Sequence, residues 1–299
     1  MLDIILSGLS QGLLWSIMAI GVFITFRILD IADLSAEGTF PMGAAICALC
    51  IMHDINPFLA TFLGMLGGML AGLVSGIMHT KMKIPALLTG IITLTGLYSV
   101  NLLILGSSNV YLSTHETIVT TVAKLGLNRT TSVLVVGAFF VTLVIFVLYL
   151  LLNTQLGLAL RATGDNVAMG QANGIKVDRM KIFGYMLGNG LIALSGALLA
   201  QNNGYADLNM GVGTIVIGLA SIILAEVIIK HLPLGKRLWS LVLGSVIYRL
   251  IIVFILTTDI EAQMIKLVSA ILLALILYIP ELRDKLGVRP SKTLGKEGE

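Results

Sequence analysis

Residues 133–152 read VLVVGAFFVTLVIFVLYLLL, twenty positions without a charge or a proline. A helix of about 20 apolar residues matches the roughly 30 Å of hydrocarbon in a bilayer. In lipid the backbone N–H and C=O groups find no water, so only helices and closed barrels satisfy them. A barrel needs alternating segments of roughly ten residues, and this run does not alternate. Apolar runs between polar breaks predict about nine transmembrane helices, near 4–28, 38–53, 57–79, 84–106, 132–153, 181–201, 214–230, 238–256 and 264–280. The fold class is therefore all-α and polytopic, a single transmembrane domain over 1–299. Composition agrees: 57% of residues are apolar and 12% charged, where soluble chains carry about a quarter charged. Met1-Leu2-Asp3 lacks a basic start and no small-residue cleavage site closes the first run, so the first helix is expected to stay.

The polar breaks set the orientation. If the loop 154–181 is cytoplasmic, the inside collects fifteen Lys and Arg, among them Arg27, Lys81, Arg161, Lys230, Arg237 and those of the tail 282–299. The outside then holds only Lys124, Arg129 and Lys266, and Arg249 stays within the bilayer. By the excess of positive charge on cytoplasmic loops, the amino terminus is expected outside and the carboxyl terminus inside, with 107–131 an extracytoplasmic loop. The basic residues sit at span ends and form no stripe able to track nucleic acid, so no nucleic-acid partner is expected. Membrane lipid is the partner that the runs require.

Several chemistries lack their parts. No GxxxxGK[ST] occurs, so no backbone cradle for nucleotide phosphates is encoded. Cys47 and Cys50 form a CxxC inside an apolar run with no second pair or His pair nearby, which reads as packing; no metal site and no cofactor are expected. Carboxylates at mid-membrane, which ion-driven carriers use for coupling, are nearly absent. The interior holds little beyond Glu226 and Arg249, which are expected to pair, as a structural ion pair or as part of a gate.

Other residues mark contacts between helices. Gly64, Gly68, Gly72 and Gly76 recur every fourth residue and bare one face of the third span for close backbone approach. Thr93, Tyr98, Ser99 and Asn101 in the fourth span, with Asn189 and Ser195 in the sixth, should face protein or water; a translocation path and helix-to-helix hydrogen bonding explain them equally. Ala32-Asp33-Leu34 before Gly38-Thr39 matches Ala206-Asp207-Leu208 before Gly213-Thr214, at opposite membrane faces, as an inverted repeat requires, and a coincidence of short segments explains the match at least as well. In the loop 154–181, Asn166 is placed to cap a short helix and Gly174 to close it in the left-handed conformation. Ala168 and Ala172 leave one face of that helix smooth enough to slot into another protein.

Gly157, Arg161, Ala162, Gly164, Asn166, Gly174 and Ile175 meet the form GxxxRAxGxNxxxAxxxGI, with Met169 and Gly170 where an alanine is expected. In this the chain resembles the permeases of ATP-binding-cassette (ABC) importers in the branched-chain amino acid and ribose superfamily. Asp33-Leu34-Ser35 with Gly38, Leu194-Ser195-Gly196-Ala197-Leu198 and Gly211 extend the likeness over most of the chain. Gly12-Leu13-Leu14-Trp15, Ile24-Thr25-Phe26-Arg27, Gly38-Thr39-Phe40-Pro41 and Leu97-Tyr98-Ser99-Val100-Asn101 resemble a narrower bacterial branch labelled tryptophan/tyrosine-type. The resemblance implies a bacterial inner-membrane permease subunit that imports a small solute, an aromatic amino acid being favoured, and that is itself no enzyme. It further implies a second permease copy around one path, a separate ABC ATPase subunit and an extracytoplasmic substrate-binding protein. Arg161, Gly164, Asp165, Asn166, Ala168, Ala172 and Gly174 would form the loop that couples to the ATPase. A stand-alone secondary carrier or channel is the alternative, and it would need coupling carboxylates of its own.

Overall fold

A computed structural model of the chain describes residues 2–124, 126–229, 233–256, 264, 267, 269–275 and 278. Helix α1 (Leu2–Phe23) runs on into a π-helical turn, Ile24–Ile28, and is followed by α2 (Ala36–Met52), α3 (Pro57–Thr80) and α4 (Ala86–Leu105). After strand β1 (Asn109–Tyr111) and the short α5 (Ile118–Ala123) come α6 (Arg129–Leu152), α7 (Gln155–Asp165), α8 (Val167–Ala172) and α9 (Val177–Asn203). Strand β2 (Tyr205–Asp207) and a 3-10 turn (Leu208–Gly211) lead to α10 (Thr214–Ile228) and α11 (Leu234–Leu256). Seven of the described helical stretches are long and apolar enough to cross a membrane. The eighth, α2, has only 17 residues, about 25 Å at 1.5 Å per residue. It is largely buried between α3, α4 and α9, so its walls are protein and it need not match the bilayer thickness. Of the expected span 264–280, residues 264, 267, 269–275 and 278 are described, with 269–275 helical, and the others lie outside the described residues, as does the whole tail 282–299.

The long helices alternate in direction, which sorts the connections onto two faces. One carries the π turn, the 29–35 segment, α7 and α8; the other carries α5 and the β1–β2 ladder, in which Asn109, Val110 and Tyr111 pair with Asp207, Ala206 and Tyr205. Helices α1 and α9 lie at the centre and α4 is the least buried of the spans. The glycine ladder of α3 is the seam against the neighbours. A Cβ at Gly68 would stand 2.6 Å from the Asn189 carbonyl oxygen of α9, and one at Gly72 2.3 Å from that of Tyr185; Gly64 meets Gly43 of α2, and Gly76 meets Ile182. The opposite edge of α3 shows Phe58, Phe62, Leu66, Leu70, Val74 and Ile77 to the surroundings, as a lipid-facing edge should.

The aspartates of the two matching segments, Asp33 and Asp207, do the same local work. Asp33 Oδ1 accepts from the Ser35 amide at 2.9 Å and Asp207 Oδ1 from the Asn209 amide at 2.5 Å, each opening a turn that feeds the next helix. They lie on opposite faces, because one follows α1 and the other follows α9.

The expected pairing of Glu226 with Arg249 is not what forms. Glu226, near the end of α10, accepts a forked pair of bonds from Arg27 at 2.8 and 3.0 Å and a third from Arg237 at 2.8 Å. Arg237 sits in the first turn of α11, level with Glu226, whereas Arg249 lies more than three turns further along the same helix. The three charges tie the ends of α1, α10 and α11 together on the α7–α8 face. Arg249 instead bonds Gln11 through two nitrogens, one at 2.9 Å, with its guanidinium 5.6 Å from the centre of the Trp15 ring.

Candidate functional site

The α7–α8 segment divides into an anchored half and a presented half. Thr154 caps α7, its hydroxyl accepting from the Gly157 amide at 3.4 Å. Leu160 and Thr163 turn into the fold, and Arg161 reaches back to donate to the Leu152 carbonyl at the end of α6, 3.2 Å away. Gly164 lies so close to the π turn that a Cβ there would stand 1.8 Å from the Ile28 carbonyl oxygen. Arg161 and Gly164 therefore hold the segment to the membrane core through contacts within this chain.

The presented half begins at Asn166. Its backbone is extended, and its Oδ1 accepts from the Met169 amide at 3.0 Å, which satisfies one of the donors a helix start leaves open. Gly174 closes the turn at φ +78°, and the Ile175 amide bonds the Gly170 carbonyl at 3.0 Å. Asp165, Ala168 and Ala172 are exposed. Gly170 faces inward against Val177, which is why a small residue suffices where an alanine was expected. Met169 is 66% exposed and Val167 40%, two apolar side chains on a polar connection between spans.

Behind the π turn sits a buried polar cluster that the inventory of charges within spans missed. Asp33 accepts from the Ser35 hydroxyl at 2.5 Å and from Asn189 Nδ2 of α9 at 2.7 Å, while Asn189 Oδ1 accepts from Thr39 of α2 at 2.7 Å. Burial pushes the Asp33 carboxyl up, against the bonds from Ser35 and Asn189 that pull it down. The signal was present in Asp33-Leu34-Ser35, whose spacing is that of a carboxylate turning back on the amide two residues ahead. The cluster joins the segment beside Gly164 to both α2 and α9.

The six residues expected along a path separate clearly. Asn189 and Ser195 are buried, the latter donating to the Leu14 carbonyl at 2.8 Å. Thr93 accepts from Ser75 of α3 at 2.9 Å, and Asn101 donates to the Gly38 carbonyl at 3.0 Å. These four knit helices together, and the path reading is withdrawn for them. Tyr98 and Ser99 remain exposed, on the side of α4 away from α2, and Thr95 and Gly96 share that side. In hydrocarbon such a small and polar stretch has poor surroundings unless protein or water meets it.

Comparison with known proteins gives consistent matches. The family described as the permease component of branched-chain amino acid transport systems matches residues 4–279. A tyrosine transport system permease protein of Clostridioides difficile is 40% identical over 98% of this chain and 96% of its own length. An uncharacterised protein of Rickettsia prowazekii is 30% identical over 91% of this chain and 96% of its own. A ribose import permease of Haemophilus influenzae is 25% identical, over 81% of this chain and 75% of its own.

Proposed function

This chain belongs to the family of permease components of branched-chain amino acid transport systems, and on that premise we propose that it forms the membrane path of an ABC importer for an amino acid, with an aromatic one favoured. It is a multi-pass membrane protein and a permease subunit of such an importer. ATP is hydrolysed on a separate ATPase chain, and an extracytoplasmic binding protein delivers the solute.

The observation that carries the reading is α8, a capped helix that is exposed on nearly every side and bears Met169 and Val167 outward. We assign it as the seat of the ATPase, with Asp165, Asn166, Ala168, Ala172 and Gly174 shaping its surface. On this reading the α7–α8 face is cytoplasmic, the excess of Lys and Arg on that face supports it, and the amino terminus is outside. Nine spans, with the last near 264–280, and a cytoplasmic tail complete the proposed topology. Motion of α8 passes through Gly164 to the π turn, and through Asp33 and Asn189 to α2 and α9. A second copy of the permease meets the exposed side of α4, and Tyr98 and Ser99 line the path between the two copies. The close approach of Gly64, Gly68 and Gly72 to three carbonyls argues that α3, α2 and α9 move together, because glycine seams leave little room for sliding.

The test is uptake of labelled tyrosine, tryptophan, phenylalanine, leucine and ribose into proteoliposomes holding the chain with its ATPase and binding protein. ATP-dependent uptake with an aromatic preference is expected. Uptake that needs neither ATP nor ATPase would establish the carrier instead, and ATP-dependent uptake of a sugar alone would remove the amino acid.

A further inference from the structure

On the face of the β1–β2 ladder a cavity of about 360 Å³ opens between α1, α6 and α9, lined by Ser7, Ser10, Gln11, Arg129, Thr130, Val133, Asn202, Asn203 and Tyr205. Its chemistry is one-sided. Arg129 spends one N–H on the Asn202 carbonyl at 2.9 Å, and a guanidinium has five to give. Gln11, in the wall, turns its Oε1 to Arg249, so a second guanidinium stands directly behind the lining. Among the described residues neither arginine is in an ion pair, and none of the lining residues is acidic. On this face Glu116 pairs with Lys124 and Asp207 accepts from the Asn209 amide, while Asp54 lies in the α2–α3 turn and is not part of the lining.

Depth selects the occupant. Every lining residue comes from the outermost turns of three apolar spans or, in Tyr205, from the strand just beyond one of them. That is the level of lipid headgroups, where interfacial tyrosines and arginines also gather. A guanidinium matches a phosphate oxyanion by forked, charge-assisted bonds, and the hydroxyls and amides of Ser7, Thr130 and Asn203 ring the same space.

We propose that this cavity is a phosphate-binding site for a phospholipid headgroup, with Arg129 as the direct ligand and Arg249, through Gln11, as the source of the positive field. The lipid would tie α1, α6 and α9 together at their ends. The assignment needs only the membrane-spanning fold, so it stands or falls apart from the transport reading.

The purified full chain in dodecyl maltoside, given palmitoyl-oleoyl phosphatidylglycerol, the matching diacylglycerol or sodium phosphate, is followed by native mass spectrometry and by Tm. One phosphatidylglycerol should be retained per chain with a saturable rise in Tm, and diacylglycerol should do neither. Arg129→Gln should weaken retention by about tenfold or more, and Arg129→Lys should keep most of it. Gln11→Glu leaves the Arg129–Asn202 contact intact while bringing a negative charge to the wall, and it should weaken retention too. Retention unchanged in both Arg129→Gln and Gln11→Glu would overturn the proposal, as would equal retention of diacylglycerol. A rise in Tm with free phosphate but not with the lipid would give the site to a soluble anion and overturn the lipid assignment.

Discussion

Asp33 is the residue on which most of the inner architecture converges. Replacing it with Ala orphans the Ser35 amide and one N–H of Asn189 in a buried place, while the Ser35 hydroxyl keeps Asn189 Oδ1 at 3.2 Å and the other N–H of Asn189 keeps the Tyr185 carbonyl at 3.1 Å. Each such orphan costs about 1–3 kcal/mol, so Asp33→Ala should lower the thermal midpoint far more than Asp54→Ala, at an exposed turn, in the same detergent. An Asp33→Ala midpoint equal to wild type would mean the cluster is not what holds α2 to α9. Gly164→Ala should lose about 1–3 kcal/mol through the clash with the Ile28 carbonyl, seen as a lower midpoint even without any ATPase. At this scale the sequence was only partly legible. It showed that Thr93, Asn101, Asn189 and Ser195 need partners, because polarity in an apolar run demands it, but not whether the partner is a neighbouring helix or a passing solute. The Glu226–Arg249 expectation failed on depth: two charges on adjacent helices meet only if they sit at one level, and Arg237 does while Arg249 does not.

Among the elements, α3 was the most readable. Four glycines at a spacing of four can only lie on one face of a helix, and that face proves to be the contact with α2 and α9. A leucine at Gly68 or Gly72 has no room beside the Asn189 and Tyr185 carbonyls; either variant should fail to reach a folded monodisperse state, measured as loss of the size-exclusion peak, whereas Val74→Leu on the opposite edge should leave the peak unchanged. Span ends were less legible. Helix α9 starts at Val177 and α6 at Arg129, because polar residues continue a helix once its amide ladder is under way beyond the apolar run. The π turn at Ile24–Ile28 was not legible, because Thr25 and Arg27 within it read simply as the polar end of the first span.

For the whole molecule, the all-helical, membrane-spanning kind followed from the apolar runs alone, although seven of the described helices, where nine spans were expected, are long and apolar enough to cross; the family followed from short motifs spread over the chain. What the runs do not carry is which segment is fixed and which is offered: Arg161 and Gly164 fall in the same motif as Ala168 and Ala172, yet two hold the core and two face outward. The central claim is that a separate ATPase drives this path through α8. The direct measurement is ATP-dependent tyrosine uptake by the assembled importer carrying Val167→Glu with Met169→Glu, both on the exposed surface of α8, beside a wild-type importer. Uptake should fall at least tenfold while the thermal midpoint of the isolated permease stays within a degree or so, since exposed substitutions change stability by about 0.5 kcal/mol or less. Uptake at the wild-type rate would contradict the account, because two charges placed in the proposed seat would then have disturbed nothing.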